Sequence, residues 1–136
     1  MDKYTIHPYR EFSDVRQLIE WAGDTHGDKI AYSYRIKAGD KDIQKVSFSR
    51  LRSDVRHLAS HLRKLGCSGK HCAVVGGLSY DWVRVYYGVL CAGGILVPLD
   101  KDWTGKDLDT TAVSAGVEYL FCDRDIAEKA EAIAQS

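Results

Sequence analysis

Apolar residues first recur at helical spacing. Val15, Leu18, Ile19 and Ala22 fall three and four apart behind Ser13, which reads as an N-cap, and Gly23 and the turn-rich Gly27-Asp28 follow. The periodicity then shortens to that of strands. Ile30 to Ile36 and Ile43 to Phe48 flank the polar, glycine-containing stretch Lys37 to Asp42, which predicts a β-hairpin. Ser47 caps the next helix, whose apolar face is Leu51, Val55, Leu58, Ala59, Leu62 and Leu65, and Gly66 stops it. From Cys72 strands and helices alternate. Cys72 to Gly76 is a short apolar strand, and Ser79 caps a helix from Tyr80 to Ala92 with Asp81 in its first turn. That helix is apolar nearly all round, which predicts a position deep against a sheet, with Gly88 admitting a close neighbour. Gly93-Gly94 ends it. Ile95 to Leu99 is the next strand, Thr104 and Asp107 frame a helix carrying Leu108, Ala112 and Ala115, and Glu118 to Cys122 is a third strand. Asp123 or Asp125 caps a last helix bearing Ile126, Ala130 and Ile133. Successive βα units require right-handed crossovers and parallel strands. The expected fold is three-layer α/β, a mainly parallel sheet flanked by helices, with an N-terminal helix and β-hairpin.

Composition sets the bounds. A chain of 136 residues, 45% hydrophobic and 28% charged, suits one domain over 1–136. Nineteen Lys and Arg balance nineteen Asp and Glu, so no net charge steers the chain toward nucleic acid or a membrane. Val85 to Val97, the longest weakly polar run, is too short to span a bilayer, and Met1 to Pro8 has no apolar signal core. Cys67, Cys72, Cys91 and Cys122 lack zinc-ribbon spacing and read as buried free thiols in a reducing cytoplasm.

The residue patterns that resemble chemistry each have a plainer reading. Gly66-Cys67-Ser68-Gly69-Lys70 follows a helix and precedes a strand, the reverse of a phosphate loop, so it reads as a turn. Gly77-Leu78-Ser79-Tyr80-Asp81 sits where a nucleophile elbow would, yet Asp81 replaces the second glycine and no histidine follows His71; N-capping accounts for Ser79. Gly76-Gly77 lacks dinucleotide-loop spacing. Asp100 and Asp123 follow two predicted strands, where carboxylates could hold Mg²⁺, although turn and capping roles serve them as well. The helix after Ser47 carries Arg50, Arg52, Arg56, His57, His61, Arg63 and Lys64, either a solvated face or an anion-binding one. Trp21, Trp82 and Trp103 form no stacking series for single-stranded nucleic acid.

Four stretches, taken in order, resemble the N-terminal region of the adenylate-forming superfamily of acyl-CoA synthetases, peptide-synthetase adenylation domains and luciferases. Gly27-Asp28-Lys29-Ile30-Ala31 is similar to its G-D-K-x-A, and Val46-Ser47-Phe48-Ser49-Arg50-Leu51 to its (V/L)-(T/S)-(Y/F)-x-E-L. Ser79-Tyr80-Asp81-Trp82 is similar to N-S-x-E-W, and Cys91-Ala92-Gly93-Gly94-Ile95-Leu96-Val97-Pro98-Leu99-Asp100 to A-G-G-x-x-V-P-L-D, the most specific of the four. Leu78 replaces the usual asparagine and Arg50 the usual glutamate. The glycine- and threonine-rich ATP loop, the later nucleotide motifs and the domain with the catalytic lysine have no counterpart in the 136 residues.

The resemblance implies the front piece of a longer ligase. With ATP and Mg²⁺, the parent converts a carboxylate into an acyl-adenylate and pyrophosphate, then passes the acyl group to a thiol, commonly that of CoA. Fatty-type acyl activation is preferred to amino acid activation. The piece itself is expected to be an inactive cytoplasmic scaffold that needs no cofactor and whose partner is the remainder of the parent. No catalytic residue or metal ligand is expected within it; Leu99, Asp100 and Lys101 are carried over as contacts near the CoA channel. An exposed apolar docking face would favour self-association. The rival reading is a self-sufficient binding module for a phospho-ligand or an anionic partner, without nucleic acid or a membrane span.

Overall fold

The computed structural model describes residues 9–127 and residue 131. An N-terminal helix, α1 (Val15–His26), leads into an antiparallel hairpin of β1 (Ile30–Tyr34) and β2 (Gln44–Ser47), and then into α2 (Phe48–Lys64). Next come β3 (His71–Val75), α3 (Tyr80–Ala92), β4 (Ile95–Leu99), α4 (Gly105–Ser114) and β5 (Tyr119–Cys122), closed by a short 3-10 turn at Arg124–Ile126. The turn falls where the last helix was expected. Ala130 and Ile133, assigned to that helix, lie outside the described residues, as does the Met1 to Pro8 segment.

β3 pairs in parallel with β4 on one side and β5 on the other. Alternation along β3 divides the core. Cys72 joins Ile19, Leu51, Val55, Leu62 and Val89 in a cluster with α1, α2 and α3, whereas Ala73 and Val75 join Leu99, Leu108 and Ala112 beneath α4. The layers are therefore α4, the sheet, and the α2–α3 pair with α1 and the hairpin against it. The α/β expectation holds.

Local chemistry explains most boundaries. The hydroxyls of Ser47, Ser79 and Thr104 accept from the backbone N–H groups of Arg50, Trp82 and Asp107 at 3.1, 3.1 and 3.2 Å. α3 ends at Gly93, whose φ of 83° releases the Gly94 N–H to bond Val89 O at 3.0 Å.

Several expectations need correction. Asp14, not Ser13, caps α1, its carboxylate accepting from Gln17 N at 2.7 Å, while the Ser13 N–H bonds the Gln17 side chain. Gly23 does not follow the helix. It lies buried inside it, because a Cβ there would come within 2.7 Å of Arg52 Cδ on α2. Leu65 is 62% exposed at the end of α2 rather than on its apolar face. Along α3, Trp82, Val83, Val85, Tyr86, Tyr87 and Leu90 are only half-buried, so the helix does not lie deep against the sheet; among the described residues nothing covers one flank. Gly88 does admit Leu58 of α2, whose Cδ2 would lie 2.8 Å from an added Cβ. Cys67, Cys72 and Cys91 are buried free thiols, but Cys122, at the end of an edge strand, is exposed.

Candidate functional site

Three parallel strands present their carboxyl ends at one rim, where open α/β sheets place ligands. The rim is built from the loops after Val75, Leu99 and Cys122. After β4, Leu99 turns inward and is buried against α4. Asp100 and Lys101 lie outside. The Asp100 carboxylate accepts from Asp102 N at 2.9 Å, making a local turn, and Lys101 Nζ donates to Asp102 Oδ1 at 2.6 Å. That hydrogen bond raises the Lys101 ammonium above its ordinary range. Leu99 thus belongs to the scaffold of the rim, and the polar pair at 100–101 to its surface.

Asp123 does something the sequence did not reveal. Its Oδ2 accepts from Gly77 N at 2.7 Å, and the carboxylate occupies the space a Cβ on Gly76 would need, also at 2.7 Å. The end of β5 is thereby latched to the loop opening α3. The signal available was two glycines after one strand and an aspartate after another, which becomes legible only once those strands are neighbours. Asp100 and Asp123 do not converge: they follow strands on opposite sides of β3, roughly 10 Å apart by strand spacing. Among the described residues no group of three His, Cys, Asp or Glu could hold a metal ion. The residues therefore do not fit a Mg²⁺ site built on this pair.

Ser79 caps α3 through its Oγ, and Gly66 and Gly69, with φ of 89° and 74°, make a turn between α2 and β3 rather than a phosphate cradle. The basic face of α2 is largely neutralised within the molecule. Arg52 pairs with Asp24, Arg56 with Glu20 and Arg50 with Asp54, the last at 2.8 Å, and Arg63 Nε donates to Ala92 O at 3.3 Å. The Arg52–Asp24 and Arg56–Glu20 pairs bind α1 to α2, Arg50–Asp54 lies within α2 and Arg63 reaches α3, which favours the structural reading of the basic helix over anion capture.

A shallow cavity of about 520 Å³ lies at the same rim between α3 and β5, with Val74, Trp82, Val85 and Phe121 on its walls and Asp81, Asp123 and Arg124 at its mouth. This is the flank of α3 that the described residues leave open.

The described residues thus define an α/β domain whose three parallel strands end at one rim. The N-terminal domain of FACL13 from Mycobacterium tuberculosis superposes with a TM-score of 0.79 at 14% identity, over 92% of this chain and 30% of that one. Klebsiella oxytoca NpsA in complex with 3-hydroxyanthranilyl-AMSN gives 0.73 at 18% identity, over 83% of this chain and 22% of that one. Residues 19–136 match the AMP-binding enzyme family, and the chain belongs to it. A curated relative, the phenylacetyl-CoA ligase epaB of Aspergillus niger, is 24% identical over 120 residues; the match takes in 85% of this chain and about a fifth of the ligase, 21%. No helix among the described residues is long and apolar enough to cross a membrane.

Proposed function

We propose that the chain is the N-terminal scaffold, one domain over residues 1–136, of an AMP-forming acid–thiol ligase of acyl-CoA synthetase type, working in the cytoplasm. The observation that carries this reading is the Gly93-Gly94 to Asp100 segment. Its glycines end α3, its apolar residues form β4, and its aspartate turns the chain at the rim. Membership of the AMP-binding enzyme family and likeness to a phenylacetyl-CoA ligase support it.

A carboxylate is a poor electrophile, and joining it to AMP makes it a good one. That step needs charge stabilisation at the phosphoryl group. ATP and CoA are substrates of the parent and Mg²⁺ its cofactor, and the groups that stabilise the phosphoryl charge belong to the remainder of the enzyme, which docks on this scaffold. Asp100 and Lys101 face the side from which CoA enters, on Leu99 as a fixed base. The acid is of the fatty or arylacetic kind.

Carboxylate-dependent exchange of pyrophosphate into ATP tests the assignment. The parent polypeptide carrying this chain exchanges, and the isolated 136 residues do not. Exchange by the isolated chain, or none by the parent with any aliphatic or aryl acid, overturns it.

A further inference from the structure

α2 carries two histidines one turn apart, in the stretch His57-Leu58-Ala59-Ser60-His61. Residues four apart share a face of a helix, with Cβ atoms about 6 Å from each other, so the two rings can close on one point. Both Nδ1 atoms are engaged by the helix itself: His61 Nδ1 lies 3.0 Å from His57 O, and His57 Nδ1 lies 3.5 Å from Ser53 Oγ. A carbonyl oxygen only accepts, so Nδ1 of His61 carries the proton and Nε2 keeps its lone pair. The Ser53 hydroxyl can accept from His57 in the same way, which leaves the second Nε2 as a ligand too. The helix beneath is fixed, because Leu51, Val55, Ala59 and Leu62 of its other face are buried in the core. Toward α3 the pair borders a cavity of about 290 Å³ whose charged walls are Asp54, Asp81 and Arg84. Asp54 is taken by Arg50 and by the Tyr80 hydroxyl, and Asp81 by Arg84.

We propose that His57 and His61 together chelate a divalent transition metal of the nickel or zinc kind through their Nε2 atoms, with water in the remaining positions. Neutral imidazole suits these metals, whereas Mg²⁺ and Ca²⁺ require oxygen. Metal–nitrogen bonds of about 2.1 Å are reached from adjacent turns, as in the metal-binding helices that carry two histidines four apart. The His57 carbonyl that fixes the ring of His61 supplies the outer support such ligands need. Among the described residues no third His, Cys, Asp or Glu completes the set, so the site is open and its metal exchangeable. Every feature the proposal needs lies between Ser53 and His61 of one helix. The inference is therefore independent of the sheet and of the adenylation reading.

Calorimetric titration with Ni²⁺ tests it, on the untagged 136-residue chain carrying Cys122→Ser to remove the exposed thiol. One ion is expected to bind per chain, saturating below about 1 mM, and to raise the melting temperature because only the folded helix holds both rings in place. His57→Gln and His61→Gln each weaken binding at least about tenfold and abolish the thermal shift, since a lone imidazole lacks the gain of a chelate. Both positions are exposed and glutamine favours a helix; circular dichroism confirms that the variants fold. Mg²⁺ at about 10 mM leaves the titration unchanged. No saturable heat up to about 1 mM overturns the proposal, as does a smaller loss in either variant. Displacement by Mg²⁺ also overturns it, because it would put the metal on carboxylates. None of these results touches the pyrophosphate test.

Discussion

At the scale of single residues, the Asp123 carboxylate links two loops that are far apart in sequence. Because it fills the volume beside Gly76 and accepts from Gly77, the two positions act as one device. Gly76→Ala pushes the carboxylate away, and Asp123→Ala removes it. Each is expected to cost about 1–2 kcal/mol in denaturant titration, and the double variant no more than the larger single. Additive losses would refute the coupling. The cysteines differ as sharply. Burial pushes the thiols of Cys72 and Cys91 up to about 11, so at pH 8 almost none of either is thiolate. A disulfide reagent is therefore expected to modify exposed Cys122 first in the native chain and the others only on unfolding. Cys122→Ser removes the fast phase.

At the scale of elements, the caps at Ser47, Ser79 and Thr104 were readable, while the cap at Asp14 and the long-range packing were not. Ser47, Ser79 and Thr104 bond backbone groups three residues on, so sequence alone holds both partners. Gly23 was misread because its reason is Arg52 on another helix, and α3 was placed too deep because its composition does not say which neighbours are present. For the same reason the turn at Asp100 was legible and the latch at Asp123 was not.

The hairpin is clipped to the helices by an aromatic and polar contact. Tyr34 stacks on Tyr80 at 5.8 Å, and the Tyr80 hydroxyl donates to Asp54 at 3.0 Å. Burial, with Asp54 beside it, drives the Tyr80 phenol far above 10, and burial takes Tyr32 to about 12. Both groups lose their protons more readily once unfolded. Their contribution is complete below pH 10 and declines as pH climbs toward 12. Tyr80→Phe is expected to cost about 1 kcal/mol at pH 7 and to flatten the alkaline decline in melting temperature. An unchanged alkaline slope would remove Tyr80 from the account.

For the whole molecule, one sheet serves two cores. Leu108, 1% exposed, anchors α4 beneath β3; Trp21 and Trp82 lie in the opposite layer and report from it alone once Trp103, in the loop opening α4, is replaced by phenylalanine. Leu108→Ala is expected to cost about 3 kcal/mol. It should lower the midpoint equally by tryptophan fluorescence and by far-ultraviolet circular dichroism, because β3 cannot lose one layer and keep the other. Separate midpoints would show the layers melting independently.

Pro98 guards one border of the sheet. A strand edge with every outward donor in place is a template for a strand of another molecule, and a proline removes one of those donors. Replacing this exposed proline with valine restores the missing donor. Concentrated Pro98→Val protein is therefore expected to scatter light and bind amyloid dyes while the parent sequence stays clear.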